Sequence, residues 1–512
     1  MDAKECISMS DPERDVVISD TPVVESSLKK ALEVSIITGL NTDHDRIDTI
    51  DPNAVKQLRW KIDLHIYPIL FILQIFSFLD RINIGNARIQ GLTEELELYG
   101  NRYNIVLFVY FIPYLLFEIP SNIIIKKTRP SLYLSGLMFS WGIVNMSMGF
   151  VKSFAQLVVL RTLLGVLEAG VLPGIIFLTS MFYKRHDFQA RMTIIFFASV
   201  FAGAIGGLLA YTIAELDEHC NFRAWRWIFI IEGAATAAVS LIAVFLIVDW
   251  PSQCQFLSIQ EKALLNRVLA EDGTADARMD TLNKQACKLI FSDWKIWLGA
   301  LVFFGTGVTG YSIAFFMPTI LVEFGWNARE AQVQSIPIYA VASAFMFSVA
   351  WLSDRYKHRY GFVMLCCVLT TVGFVLQLLR ESLSRDAGYV SLFLLAMGGF
   401  TLPPLSISWL SNNLSGHWKR AFDTGIQVML GGISGVLATN IFIDREAPRY
   451  PTGYGTALAL NWLGGIAATA LFVGMLLENK RRRAGDRDHR LNGPVEEVRN
   501  MGDYHPKFRF TL

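Results

Sequence analysis

Four ionisable side chains interrupt two otherwise apolar stretches of this sequence. Asp80 and Arg81 are adjacent in one stretch, and Arg161 and Glu168 are seven residues apart in another. Seven residues are close to two helical turns, so Arg161 and Glu168 project to one side of a helix, about 10 Å apart. A partly desolvated carboxylate can bind and release a proton near neutral pH, whereas an arginine stays charged and can hold a carboxylate with two hydrogen bonds. This set could therefore move an organic anion together with protons.

Each pair of charges also has a structural interpretation, because an ionisable group inside a bilayer costs a few kcal/mol and needs a compensating contact. Asp80 and Arg81 would lie at the outer surface if their helix ended near residue 79. Arg161 and Glu168 could instead form buried salt bridges with another helix. Adjacent helical residues lie about 100° apart, so Asp80 and Arg81 are expected to face different partners around one polar cavity.

Twelve apolar runs make up the body of the chain, each close to the ~20 residues that a helix needs to cross a bilayer. A polar stretch separates the sixth run from the seventh. The layout predicts an all-α membrane protein with twelve transmembrane helices in two pseudo-symmetric six-helix halves. Its predicted parts are a disordered cytosolic tail (1–62), an N-terminal half (63–249), a cytosolic linker (250–293), a C-terminal half (294–477) and a second cytosolic tail (478–512).

Composition excludes most other classes of protein. Apolar residues make up 53% of the 512 residues and charged residues 18%, against about 25% charged in a soluble domain. A formal net charge of +1 provides no basic field for nucleic acid. The sequence has no P-loop, no HExxH motif and no cluster of Cys and His. We therefore expect a protein that is not an enzyme, with no cofactor and no metal, driven by a proton gradient.

The distribution of Lys and Arg predicts how the chain is oriented in the membrane. With the N-terminus inside, the inner loops and the segments flanking the outermost spans carry twice as many Lys and Arg residues as the outer loops. Positive charge accumulates on the cytosolic side of membrane proteins, so both termini are predicted to be cytosolic. The predicted location is the plasma membrane, and the predicted state is a monomer.

The second half of the chain offers neutral polar groups where the first half offers charges. Tyr311 and Asn413 are its candidates for substrate contact, through shape and neutral hydrogen bonds. Each of them can also be interpreted as a packing residue.

Two loops occupy equivalent places in the two halves, after the second and the eighth apolar run. The first contains Asn122 and Lys126, and the second contains Asp354, Arg355 and Arg359. The second loop resembles the inner-loop gating signature of the major facilitator superfamily, which the chain resembles over nearly all of its membrane part. The resemblance implies a gating role for these five residues, although Asn122 stands where the signature has Asp.

Three segments resemble a narrower group, the anion:cation symporter family, and within it the fungal allantoate and nicotinate permeases. They are Leu79–Ala87, Phe117–Asn122 and Gly165–Gly174. The resemblance implies that Asp80 and Glu168 couple transport to protons and that Arg81 and Arg161 contact the anion. Charge and position single out the same four residues.

Three functions compete at this point. The first is proton-coupled uptake, by alternating access, of a small organic anion such as a nicotinate-, allantoate- or vitamin-acid-like carboxylate. The second is proton-driven export of an acidic metabolite. The segment Ala202–Gly207 counts against export, because it lacks the proline that antiporters of the superfamily usually carry there. The third is a nutrient sensor that does not transport.

Overall fold

Helices dominate the computed structural model, which describes residues 51–183, 185–217, 222–272, 284–356, 358–415, 417–494, 498 and 501–512. Most of the predicted N-terminal tail, residues 1–50, lies outside the described residues. The long helices of the first half are α1 (Pro52–Ala87), α2 (Arg102–Lys127), α3 (Pro130–Met148), α4 (Phe154–Ser180), α5 (Arg185–Ile213) and α6 (Ala224–Leu246). Those of the second half are α7 (Trp294–Glu323), α8 (Ala328–Tyr356), α9 (Tyr360–Leu378), α10 (Arg385–Asn413), α11 (His417–Ile441) and α12 (Pro451–Arg483). Two shorter helices, Ile259–Asp272 and Lys284–Phe291, lie between the halves.

Eleven helices in the described part of the chain are long and apolar enough to cross a membrane, and α3 completes the twelve. Lipid offers no partners to backbone N–H and C=O groups, so apolar runs satisfy these groups internally by forming helices. α3 contains several serines and Asn145 among its apolar residues. The prediction of an all-α membrane protein with twelve helices is confirmed.

The two halves repeat the same helix packing. α1 packs against α5, α2 against α4 and α3 against α6, and the second half pairs α7 with α11, α8 with α10 and α9 with α12. Between the halves, α2 packs against α11 and α5 packs against α8. These two contacts are equivalent, because α2 corresponds to α8 and α5 to α11 in the repeat. This arrangement is typical of transporters in which two parallel repeats move against each other.

Polar contacts join the two halves at the end opposite to the predicted gating loops. They are an ion pair between Arg88 and Asp444 at 2.9 Å, a hydrogen bond from Asn104 to the Phe442 carbonyl at 2.9 Å and one from Arg329 to the Ala214 carbonyl at 2.8 Å. The halves are therefore held together at this end.

The C-terminal segment packs onto the second half. α12 continues to Arg483, beyond the predicted end of the last span, and Asp503 is fully buried between Lys295 of α7 and Lys419 of α11. Its carboxylate lies 2.8 Å from the Lys295 amine and 2.7 Å from the Lys419 amine, and Asp293 pairs with both lysines as well. Burial alone would raise the pKa of Asp503, but the two lysine charges outweigh it and hold this pKa well below its ordinary value.

Replacing Asp503 with Ala is expected to lower the free energy of unfolding by about 3 kcal/mol, because it leaves a buried lysine charge without compensation. The loss is measured as a fall in the unfolding temperature of the purified protein in detergent. Glu381→Gln is the matched control, since the ion pair of Glu381 with Arg449 is largely exposed and contributes little. Equal unfolding temperatures for Asp503→Ala and the parent would show that the segment does not stabilise the fold.

Candidate functional site

Glu168 is the centre of a buried polar cluster in the first half. Its carboxylate accepts hydrogen bonds from Ser77 of α1, from Arg81 at 2.9 Å and from the Tyr110 hydroxyl of α2 at 2.6 Å. α4 can bring Glu168 so close to α2 because of Gly165, where a Cβ would lie 2.1 Å from the Tyr110 carbonyl oxygen. Three helices therefore meet at one carboxylate.

Arg81 pairs with Glu168 and is surrounded by aromatic rings. Its guanidinium carbon lies 5.3 Å from the Tyr110 ring centre and 5.1 Å from that of Tyr114. Tyr311 of α7 packs edge-on against Phe111, the neighbour of Tyr110 on α2, with ring centres 5.3 Å apart. Of the two predicted contacts of the second half, Tyr311 is the one that reaches the edge of this cluster. The Nε atom of Arg81 has no hydrogen-bond partner among the described residues. A donor on this arginine is thus available while the salt bridge is intact.

Arg161 is the least compensated charge of the cluster. Its side chain is buried, yet its Nε and one terminal nitrogen have no hydrogen-bond partner in the described part of the chain. The other terminal nitrogen lies 3.5 Å from the Arg81 carbonyl oxygen, at the limit of a hydrogen bond. Buried guanidinium groups normally have an anionic partner, so Arg161 is prepared to receive one.

Asp80 faces away from this cluster, although it is the neighbour of Arg81. It is fully buried, and its carboxylate accepts hydrogen bonds from Trp141 (3.0 Å) and Asn145 (2.7 Å) of α3 and from Thr236 (2.8 Å) of α6. The two residues do face different partners, as expected from helix geometry, but those of Asp80 belong to the α3–α6 contact. The expectation that all four charges line one cavity is therefore wrong for Asp80. α1 also continues to Ala87, so neither residue lies at the surface.

Two cavities of the structure lie elsewhere, and none of the four charges lines them. Asp80, Arg81, Arg161 and Glu168 are all nine-tenths buried or more. The cluster is therefore closed to solvent in this conformation, and an anion could reach it only after the helices around it had moved.

Asn413 lies at the end of α10, outside the cluster. Its amide donates to the Thr511 carbonyl at 2.9 Å and accepts from the Thr511 backbone N–H at 2.7 Å. Both polar atoms of the side chain hold the C-terminal segment in this conformation. The structure therefore does not bring Asn413 together with Arg81 and Tyr311.

The predicted gating residues lie near the C-terminal ends of α2 and α8, except Arg359, which directly precedes α9. Asp354 forms an ion pair with Arg359 at 2.7 Å, and both line a small cavity of about 20 Å³ together with Thr193 of α5. Arg355 is exposed, Asn122 is half-buried, and the Lys126 amine lies 5.1 Å from the ring centre of Phe177. The loop of the second half thus approaches a helix of the first half at Thr193.

Tyr110 and Tyr114 are the site residues that sequence reasoning missed. They are four residues apart on α2, so they share one face of that helix, and both rings pack on Arg81. Two tyrosines at this spacing in an apolar span could have been recognised as a polar aromatic face.

Comparison with known proteins supports the same class of molecule. Residues 70–439 match the family described as the Major Facilitator Superfamily. The chain belongs to this superfamily. It is 33% identical to the MFS-type transporter cnsO of Penicillium expansum over 470 residues, which cover 89% of this chain and 90% of that protein. It is 28% identical to the high-affinity nicotinic acid transporter of Saccharomyces cerevisiae over 475 residues, covering 93% and 88%.

The fold agrees with solved structures of the superfamily. The structure of the proton:xylose symporter XylE bound to 6-bromo-6-deoxy-D-glucose superposes with a TM-score of 0.61 at 15% identity, over 82% of this chain and 96% of that one. The chain is thus a multi-pass membrane protein of a transporter family, and it is not an enzyme.

Proposed function

We propose that this protein takes up a small organic anion together with protons by alternating access. The observation that carries the proposal is the buried guanidinium of Arg161, which forms no ion pair with any described carboxylate although it lies beside the Arg81–Glu168 salt bridge. A carboxylate substrate supplies the missing negative charge and accepts hydrogen bonds from the planar guanidinium. Tyr311 contacts the substrate from the second half.

Coupling follows from competition for Arg81. While Glu168 is ionised, it holds Arg81 in the 2.9 Å salt bridge. A proton on Glu168 removes the negative charge, so Arg81 turns to the substrate anion instead. Release of the anion restores the salt bridge and expels the proton. Substrate and proton therefore move in the same direction, and no further cofactor is needed.

Alternating access requires the two ends of the molecule to open in turn. The contacts of Arg88 with Asp444 at one end must break when the site opens there. At the other end we assign the gate to Asn122, Lys126, Asp354, Arg355 and Arg359. We further propose that this gate is cytosolic, that both termini lie on the same side, and that a monomer in the plasma membrane carries out transport.

The substrate class is a nicotinate-, allantoate- or vitamin-acid-like carboxylate. Two features support it: the cluster offers two arginines and aromatic rings to a small planar anion, and one relative is named as a nicotinic acid transporter. The resemblance of the three sequence segments to anion:cation symporters points to the same class.

A competition panel tests the proposed function directly. The protein is expressed in a host that lacks its own permeases, and uptake of labelled small carboxylates is measured at two values of external pH. We expect at least one carboxylate to enter faster at the lower pH and to be displaced by its structural analogues. Efflux driven by an inward proton gradient would instead identify an exporter, and no transport of any carboxylate would contradict the proposal.

We also assign a coupling proton to Asp80, a fully buried carboxylate that accepts only neutral hydrogen bonds and forms no ion pair among the described residues. Asp80→Asn is therefore expected to abolish accumulation driven by the pH gradient while leaving the fold intact. The Asn145 amide can turn over to accept a hydrogen bond from the new amide, because its own oxygen has no partner among the described residues. Uptake and unfolding temperature are measured side by side. If the folded Asp80→Asn protein accumulated substrate like the parent, Asp80 would have only a packing role between α1, α3 and α6.

A further inference from the structure

The C-terminal end of α12 forms one wall of a cavity of about 300 Å³ that the transport mechanism does not use. This wall carries Arg481 and Arg482 of α12 together with Arg487 and Arg490, which follow the helix, and we call the space the basic cavity. Its floor comes from the packed C-terminal segment, through Tyr504 and Phe510. The cavity is therefore built from separate parts of the chain.

The positive charge of this wall is only partly compensated. Glu478 is shared by Arg482 at 3.1 Å and Arg487 at 2.7 Å, so one carboxylate serves two guanidinium groups. None of the described carboxylates forms an ion pair with Arg481 or Arg490. Arg490 donates instead to the Tyr504 carbonyl oxygen at 3.0 Å. Burial, and then the neighbouring charges of Arg487 and Arg482, lower the pKa of Arg490. The cavity thus keeps an excess of positive charge.

The other wall of the basic cavity is apolar and belongs to the membrane-spanning part. It is formed by Trp294 at the start of α7 and by Gly474 and Leu477 of α12. Trp294 is 41% exposed and Leu477 is 48% exposed. Both lie where the apolar part of α12 ends and its basic residues begin. Trp at this level is typical of the membrane interface. An occupant would meet apolar surface on one side and arginines on the other.

We propose that the basic cavity binds a phospholipid with an anionic, phosphate-bearing headgroup. The arginines hold the headgroup phosphate by charge-assisted hydrogen bonds, and the acyl chains run along Trp294 and Leu477. A free phosphate compound offers the same negative charge but has nothing to place against the apolar wall. The combination of both walls therefore favours a lipid.

The test uses the purified full-length protein in detergent with three short-chain probes. They are phosphatidylinositol 4-phosphate, phosphatidylcholine and the free inositol phosphate headgroup. The readouts are the shift in unfolding temperature and the retention of lipid in native mass spectrometry. We expect phosphatidylinositol 4-phosphate to raise the unfolding temperature and to be retained, and the other two probes to have little effect.

Arg481→Gln combined with Arg490→Gln should weaken the binding of phosphatidylinositol 4-phosphate roughly 30-fold, from the usual worth of two basic residues at an anionic membrane surface. Neither arginine has a described ion pair, and the variant removes one side-chain hydrogen bond, from Arg490 to the Tyr504 carbonyl oxygen. The unfolding temperature of the lipid-free variant should therefore fall only slightly, and each lipid-induced shift is measured against that value. Lys127→Gln combined with Arg129→Gln is the matched control: it removes two exposed positive charges at the α2–α3 connection and should bind like the parent.

Three results would overturn the proposal. Parental affinity in the Arg481→Gln, Arg490→Gln variant would remove the arginines from the site. An equal response of the parent to phosphatidylcholine would show that the headgroup charge is not recognised. An equal response to the free inositol phosphate, lost in the variant, would identify a site for soluble anions and exclude the lipid.

Discussion

Glu168→Gln is expected to abolish uphill uptake while exchange of substrate across the membrane continues. Gln has nearly the same shape as Glu but cannot take up or release a proton. It can keep the contacts to Ser77 and Tyr110, whose hydroxyl groups either donate or accept hydrogen bonds. Arg81 is then permanently free of the salt bridge, as in the protonated parent. The carrier can bind its anion but gains nothing from the proton gradient.

The size of this effect is set by the proton gradient itself. One coupled proton supports about tenfold accumulation per pH unit, because each tenfold ratio corresponds to 1.4 kcal/mol. The variant should reach only the equilibrium distribution of the anion, with or without a protonophore. Counterflow of labelled against unlabelled substrate should remain close to that of the parent. The two assays together separate a loss of coupling from a loss of folding.

Glu118→Gln is the matched control for Glu168→Gln. Glu118 is another buried carboxylate of the same half, but no basic residue forms a described ion pair with it, and one of its oxygens has no described hydrogen-bond partner. Neutralising it should leave accumulation unchanged. If Glu118→Gln lost accumulation and Glu168→Gln kept it, the coupling proton would have to be reassigned from Glu168 to Glu118.

The twelve helices could be predicted from the sequence, but the helices that Asp80 contacts could not. A run of about 20 apolar residues has one stable solution in lipid, so the spans followed from composition. The angle between Asp80 and Arg81 was also predictable. Which helices they face depends on the close contact of α3 with α6, where a Cβ at Gly233 would lie 2.3 Å from the Met146 backbone nitrogen. Such a contact joins residues that are far apart in the sequence.

Asn413 illustrates the second kind of information that sequence reasoning lacked. A neutral amide near the end of an apolar run is equally compatible with a substrate, a neighbouring helix or a terminal segment. Its partner, Thr511, follows 98 residues later, in a polar region with the composition of an unstructured tail. The packing of this tail depends on Asp503 meeting two buried lysines, and no local pattern predicts that encounter.

Arg161→Met should separate binding from stability more clearly than any other change in the site. We expect apparent affinity for the transported carboxylate to fall roughly 100-fold, the usual effect of removing a pair of charged hydrogen bonds. The unfolding temperature should stay the same or rise, because an apolar side chain replaces a buried charge that forms no described ion pair. A fall in affinity without a fall in unfolding temperature would show that the charge of Arg161 serves ligand binding and not the stability of the fold.

Arg226→Lys provides the contrast, because Arg226 is also buried in the first half but already has a partner. It contacts Glu95 at 2.7 Å and the Gly149 carbonyl oxygen at 2.8 Å. Lysine cannot reproduce both contacts, so this variant should lose stability and keep parental affinity. If Arg161→Met behaved in the same way, unstable but with unchanged affinity, its guanidinium would be part of the packing, and the anion would have to be held by Arg81 alone.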